Sequence, residues 1–377
     1  MEKKVTISVA EFKRRLDSDE VRFIFDLRNK EEFESWRIEG RTPIEALNIP
    51  RMHFVAEEEK YLDRFPRDRQ IIAICAHGDS SRYSAELLQG QGFDIVSLEG
   101  GMDAWSEYYE TAKVGGLPDV YQIFRPARGC IAYLVASGGE AAVIDSSRHV
   151  GHLLDLAASL RVKLGSVLDT HLHADHISGG RELAEAAGAG YFLNPADAGG
   201  AAFGYRPLGD GQEIKVGGSV IRVMHSPGHT PGSTSFLLDG KYLFTGDTIM
   251  KKSIGRPDLG GMAEEWAAML HNTLFERFAF LPDETVVLPS HAASIAEQDS
   301  RGIVMTTLGE ARRTTDLYQI KDLGRFISHV KSSLLDNPER YQEIRKVNLG
   351  GKEADEAVRK ELEIGKNLCG MAVQPAR

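Results

Sequence analysis

Three imidazoles and a carboxylate fall within six consecutive positions, His171-Leu172-His173-Ala174-Asp175-His176. Residues 166–170 before them read as a short buried strand. Residues 177–187 after them, with Gly179 and Gly180 near the start, read as a helix. A strand-to-helix loop lets side chains converge on one point. Four titratable groups crowded beside a core strand are costly to bury unless something neutralises them. Imidazole together with carboxylate suits zinc and non-haem iron. A solvated His-rich loop is the plainer alternative, and the residues further along weigh against it.

Those residues come in order. His229 lies in the turn Pro227-Gly228-His229-Thr230-Pro231-Gly232, after a strand over 220–224. Asp247 ends a strand over 241–247. His291 follows a strand over 285–288 and the turn Pro289-Ser290. Each sits just past a strand end, where a sheet scaffold presents loop chemistry. His225 lies on or near a strand and reads as a packed or supporting histidine rather than a ligand. The ordered set of His-x-His-x-Asp-His, a Pro-Gly-His turn, Thr-Gly-Asp and a late His resembles the metallo-β-lactamase superfamily over about residues 119–293. The resemblance implies an αββα sandwich with metal at one edge of the sheets. In binuclear members of that superfamily, the positions matching His171, His173 and His229 hold one metal, those matching Asp175, His176 and His291 the other, and the one matching Asp247 bridges. All seven are present, so the ligand inventory leaves the number of metals open.

The chain has 377 residues, room for two domains and an extension. Its net charge of −10 argues against a general affinity for nucleic acid or anionic membrane. No apolar run is long enough to span a bilayer. The start, Met1 to Ile7, lacks the apolar core of a signal peptide. Cys75, Cys130 and Cys369 are too few and scattered for a disulfide framework, so a reducing cytoplasm is the expected compartment. Homo-oligomerisation stays open.

The first third alternates strand and helix patterns. Residues 5–7, 23–26, 71–74 and 95–98 read as strands, and Ser8 with Glu11 as a capping box. This predicts a parallel α/β domain over residues 1–113. Residues 114–118, Val-Gly-Gly-Leu-Pro, read as a linker. A β-rich domain follows over 119–300, and a polar helical extension over 301–377, with helices near 323–335 and 353–363.

Cys75 follows a buried strand and precedes Ala76-His77-Gly78-Asp79-Ser80-Ser81-Arg82, which leads into a helix. N–H groups at a helix start favour thiolate over thiol. The bland alternative is a small buried hydrophobe. Asp26-Leu27-Arg28, Asn48-Ile49-Pro50, the Cys75 loop and Glu99-Gly100-Gly101-Met102-Asp103-Ala104-Trp105 together resemble a single-domain rhodanese. That resemblance implies that Cys75 is catalytic and carries sulfane sulfur as a persulfide. One departure is Ser80, where rhodaneses usually place an Arg five residues after the Cys. An anionic donor such as thiosulfate then loses a bidentate partner. Cys130, in an apolar strand, reads as core.

A sulfur-handling domain beside this metal pattern resembles the persulfide dioxygenase–rhodanese fusions. Gly255-Arg256-Pro257-Asp258 and the segment over 306–314 are similar to segments of that group. The resemblance implies one Fe(II) per chain held by His171, His229 and Asp247, a two-His, one-carboxylate set that leaves open positions for persulfide sulfur, O2 and water. It implies that His173, Asp175, His176 and His291 orient those ligands or hold a second metal, and that Arg256 and Asp258 bind substrate. The expected reaction is oxidation of a small thiol persulfide by O2 to sulfite and thiol, with sulfane-sulfur transfer to or from sulfite or thiosulfate at Cys75. The alternatives are a binuclear zinc thioester hydrolase of glyoxalase II type with two Zn2+, and a non-enzymatic sulfur-binding or sensing protein.

Overall fold

Short apolar runs set the first part of the chain. In the computed structural model, which describes residues 4–365 and Asn367 apart from 117, 259, 333 and 335–338, five strands form one sheet. They are β1 (Thr6–Ile7), β2 (Phe23–Asp26), β3 (Glu45–Asn48), β4 (Ile71–Ile74) and β5 (Ile95–Leu98), in the order β1-β5-β4-β2-β3. Every pairing is parallel. The strands β2, β4 and β5 are buried along their whole length, as a parallel sheet covered on both faces requires. One side is an aromatic cluster in which Phe25 meets Phe54 and Phe65 edge to face at 5.0 and 4.9 Å. Ser8 caps the helix Val9–Asp17 by accepting the Glu11 N–H. The Glu11 carboxylate, expected to return that bond, instead binds Arg14 and Arg15.

The chain divides into two compact units. The first runs to Glu110 and takes in the short segments Arg125–Arg128 and Ser294–Ala296, and the second holds the rest. The expected linker is a correction. Residues Glu110–Gly115 form β6, which neighbours β7 (Asp119–Arg125) in the second unit's sheet. Gly115 and Gly116, at φ +126° and +70°, make the turn rather than a free connection.

That sheet has seven strands. It continues with β8 (Cys130–Ser137), β9 (Glu140–Ile144), β10 (Lys163–Leu168), β11 (Gly190–Leu193) and β12 (Arg206–Pro207). It is antiparallel between β8 and β9 and parallel from β9 to β12. A six-stranded mixed sheet follows: β13 (Glu213–Val216), β14 (Ser219–His225), β15 (Thr234–Leu238), β16 (Tyr242–Gly246), β17 (Val286–Pro289) and β18 (Thr306–Thr307). Helices flank both sheets. Met224, Leu243 and Val287 pack against Ala267 and Leu270 of the helix Ala263–Asn272 and Leu308 and Ala311 of the helix Leu308–Thr314.

The extension therefore begins inside the sheet. After the helix Leu308–Thr314 its further helices are Leu323–Ser332, Glu339–Asn348 and Glu356–Leu362; Leu308–Thr314 and Glu339–Asn348 were not anticipated. Ile344 and Val347 of the latter helix pack on Ile177, just after the His-rich loop. Among the described residues no helix is long and apolar enough to cross a membrane. Cys369 lies outside the described residues.

Candidate metal centre and sulfur site

The His-rich loop leaves the end of β10 and is held from below by a carboxylate at the end of β9. Asp145, at φ +54°, accepts the Thr170 N–H at 2.7 Å and the Thr170 hydroxyl at 2.9 Å, and also takes the Ser290 hydroxyl. Because the Thr170 hydroxyl is spent on Asp145, its oxygen accepts from His171 Nδ1 at 2.9 Å. The His171 proton is thereby fixed on Nδ1 and the Nε2 lone pair faces outward. Burial, then the neighbouring His173 and His229, holds His171 well below the ordinary imidazole value. A neutral ring is the form that ligates.

His229 is set the same way from another element. Its Nδ1 donates to the Arg256 carbonyl at 2.9 Å, again leaving Nε2 bare. Asp197 ties the two loops together. It accepts the Leu172 N–H at 3.0 Å, the Thr230 hydroxyl at 2.6 Å and the Gly232 N–H at 2.8 Å. Asp247, just past β16, lies with its Oδ2 3.9 Å from His171 Nε2 and 3.6 Å from His229 Nε2. Its Oδ1 accepts from His291 Nδ1 at 2.6 Å. Asp247 Oδ2 is buried with no hydrogen-bond partner. An orphaned buried carboxylate oxygen facing two imidazole lone pairs is costly unless a cation satisfies it. These three residues form one candidate metal group, their ligand atoms within 4.8 Å of one another.

The other motif residues divide. His173 falls with Asp145 and Asp169, its Nε2 3.3 Å from Asp145 Oδ1. Asp175, His176 and His291 form a separate group, joined by the Cys130 thiol. Cys130, expected as plain core, is buried but stands in this polar cluster, its Sγ 4.0 Å from Asp175 Oδ2. Within it, His176 Nδ1 is 3.2 Å from Asp175 Oδ1, and His291 Nε2 makes a close charge contact with Asp175 Oδ2 at 2.8 Å. Burial pushes His291 down, but the Asp247 and Asp175 carboxylates outweigh it and hold it well above the ordinary imidazole value. Burial likewise pushes the Cys130 thiol up, and His176 and His291 outweigh it to bring it to about 6. His225 stands apart, its Nε2 2.9 Å from the Pro231 carbonyl.

Arg256 and Asp258 are buried and joined by two parallel hydrogen bonds. The Arg256 side chain is therefore matched in charge, and its main-chain carbonyl is what touches His229. Asp145, Asp197 and the C-terminal residues Asn348, Glu363 and Asn367 were not anticipated. Asn348 donates from Nδ2 to the carbonyls of His173 and His176, both at 2.9 Å, and accepts the Ser178 N–H at 3.0 Å. Glu363 accepts the Ile177 N–H at 2.8 Å. The only signal for Asp145 was its place directly after an apolar strand, the same place Asp247 and His291 hold.

In the first unit, Cys75 follows β4 and points its sulfur into the start of the helix Asp79–Gly90. The Sγ accepts the N–H groups of Gly78 at 3.1 Å and Ser81 at 3.4 Å, with the Ser81 hydroxyl at 3.2 Å. The tight packing of the loop explains the Gly100-Gly101 pair, since a Cβ on Gly101 would stand 2.3 Å from the Cys75 carbonyl oxygen. Arg82 is exposed, and the sulfur's contacts come from Gly78 and Ser81. Asp26 and Arg28 form a buried pair at 2.7 Å.

Comparison with known proteins matches residues 8–108 to the rhodanese-like domain and residues 125–291 to the metallo-beta-lactamase superfamily. The chain is 30% identical over 195 residues to the persulfide dioxygenase ETHE1, mitochondrial, of Mus musculus, covering 51% of this chain and 72% of that protein. It is 34% identical over 171 residues to a hydroxyacylglutathione hydrolase of Acidiphilium cryptum, covering 44% of this chain and 65% of that one. The crystal structure of ETHE1 from Myxococcus xanthus is similar with a TM-score of 0.54 at 30% identity, over 61% of this chain and 97% of that chain.

Proposed function

We propose that this chain, which belongs to the metallo-β-lactamase superfamily and carries a rhodanese-like domain ahead of that fold, oxidises a small thiol persulfide with O2 to sulfite and free thiol. The balanced reaction is RSSH + O2 + H2O → RSH + SO3(2−) + 2 H+, in which the sulfane sulfur gives four electrons to O2. A single Fe(II) would be held by His171, His229 and Asp247. When bound there, iron would supply redox chemistry toward O2 and open positions for sulfur.

The observation that carries this reading is the locked three-residue group. Both imidazoles have their Nδ1 protons committed to Thr170 and to the Arg256 carbonyl, and the Asp247 Oδ2 they face is orphaned. This chain's own residues do the rest. Asp145 and Thr170 hold the His171 tautomer, His291 holds the Asp247 rotamer, the Arg256 carbonyl holds His229, and Arg256 and Asp258 would bind substrate. Cys75 would carry sulfane sulfur as a persulfide, its charge met by the Gly78 and Ser81 N–H groups. The whole chain's substrates and compartment, expected to be cytoplasmic, belong to the same proposal.

Elemental analysis after anaerobic purification tests the metal. The expected result is one iron per chain, lost in His229→Ala and Asp247→Ala and largely kept in His176→Ala. Two zinc per chain with no O2 uptake would refute it. A second reading, a binuclear zinc thioester hydrolase, is favoured by the complete seven-residue inventory and by the likeness to the Acidiphilium cryptum hydrolase. It predicts thioester hydrolysis by the two-zinc form.

A further inference from the structure

Asp175, His176 and His291 match the second-metal residues of the binuclear pattern, and all are buried. One of their ligand atoms, Asp175 Oδ2, is nevertheless taken by a residue from far along the chain. Asn367 is buried and hydrogen-bonds through Nδ2 to Asp175 Oδ2, with Cys130 Sγ at 3.9 Å from the same nitrogen. The orientation of this amide is fixed independently. Tyr341 donates its hydroxyl to Asn367 Oδ1 at 3.3 Å, which turns the NH2 end toward the carboxylate. Asp175 Oδ2 thus accepts an amide N–H and lies 2.8 Å from His291 Nε2.

We propose that Asn367 closes the second metal position, so that the centre takes one metal at His171, His229 and Asp247 rather than two. A donor N–H and a cation compete for the same carboxylate lone pair, and Asn367 arrives with its donor forward. The segment that delivers it is anchored on the same loop. Glu363 takes the Ile177 N–H and the Arg148 guanidinium at 2.9 Å, and Asn348 grips the carbonyls of His173 and His176. The C-terminal extension would then act as a determinant of metal count, and Asn367 as a positioning residue. This inference rests on the one-metal reading proposed above, but names the residue responsible.

The test is metal stoichiometry in the full chain, independent of turnover. Metal-free protein is titrated with Co2+, and bound cobalt is measured by elemental analysis together with the visible d–d spectrum. Wild type should bind one Co2+ per chain. Asn367→Asp, nearly the same size, replaces the donor with a carboxylate oxygen and should admit a second Co2+ with its own bands. Its affinity should be about tenfold or more above any second binding by wild type. Adding His176→Ala to Asn367→Asp should return the count to one. Two Co2+ in wild type, or a folded Asn367→Asp that still binds only one, would overturn the proposal. If Asn367→Asp does not fold, Asn367→Ala, which removes the donor, is read by the same criterion. The dioxygenase reading can fail separately. One Co2+ per wild-type chain without O2 uptake by the native protein would leave the Asn367 assignment standing.

Discussion

A methyl group on Gly255 would stand 1.8 Å from the Asp247 carbonyl oxygen and 3.2 Å from His229 Nδ1. Gly255→Ala must therefore push apart two of the three proposed ligands. The expected cost is about 1–3 kcal/mol of stability with loss of most bound metal, read by thermal unfolding and elemental analysis. An unchanged metal content would show that the close approach is not needed. Asp145→Asn tests the support beneath His171. The Thr170 N–H, the Thr170 hydroxyl and the Ser290 hydroxyl all point at the Asp145 carboxylate. An amide NH2 there meets a donor instead of an acceptor and frees the His171 tautomer, so metal affinity should fall about 10–100-fold. The histidines and Asp247 were legible because they are ligand-type residues at a recognisable spacing. Asp145 and Asp197 were not. Each works by accepting N–H and hydroxyl groups from loops distant in sequence, and no spacing rule records that.

At the level of elements, buried strands were the most legible features. β2, β4 and β5 coincide with the strands expected over 23–26, 71–74 and 95–98. The strand β6 was missed because its residues alternate weakly and end in Gly115-Gly116, which reads as a break when it is a turn. The helix Glu339–Asn348 was missed because, among its described side chains, the buried ones are Tyr341, Ile344 and Val347 amid charged residues. That helix ends on Asn348, so Asn348→Ala strips three hydrogen bonds from the His-rich loop at once. The predicted loss is about 1–3 kcal/mol in chemical denaturation, together with weaker metal retention. A second element-scale prediction concerns pH. Asp210 stands before β13. Burial would raise its carboxyl, but the His225 N–H and Arg277 outweigh it and hold it below the usual range. A carboxyl lowered in the folded state stabilises above its unfolded value near pH 4 and loses that contribution as pH falls through its folded value. Asp210→Asn should therefore narrow the difference in melting temperature between pH 7 and pH 3. The change will be small because Asp210 is largely exposed.

Across the whole molecule, the proposed chemistry divides between two units. A cysteine sulfur cupped by N–H groups can accept a sulfane sulfur and pass it on, but it cannot activate O2. Cys75→Ser should abolish sulfurtransferase activity and leave O2 consumption with a pre-formed persulfide nearly unchanged, and Asp247→Ala should do the reverse. With Ser80 half-buried in the Cys75 loop and Arg82 exposed, transfer from thiosulfate should be weak. Ser80→Arg should improve it by about 1–3 kcal/mol of charge-assisted hydrogen bonding. The most direct test of the central claim is the stoichiometry of O2 uptake and sulfite formation by the anaerobically purified full chain given a small thiol persulfide. One O2 should be consumed for each sulfite formed, in wild type and in Cys75→Ser alike. No O2 uptake by a protein that hydrolyses a glutathione thioester, or uptake that stops in Cys75→Ser with free persulfide present, would contradict it.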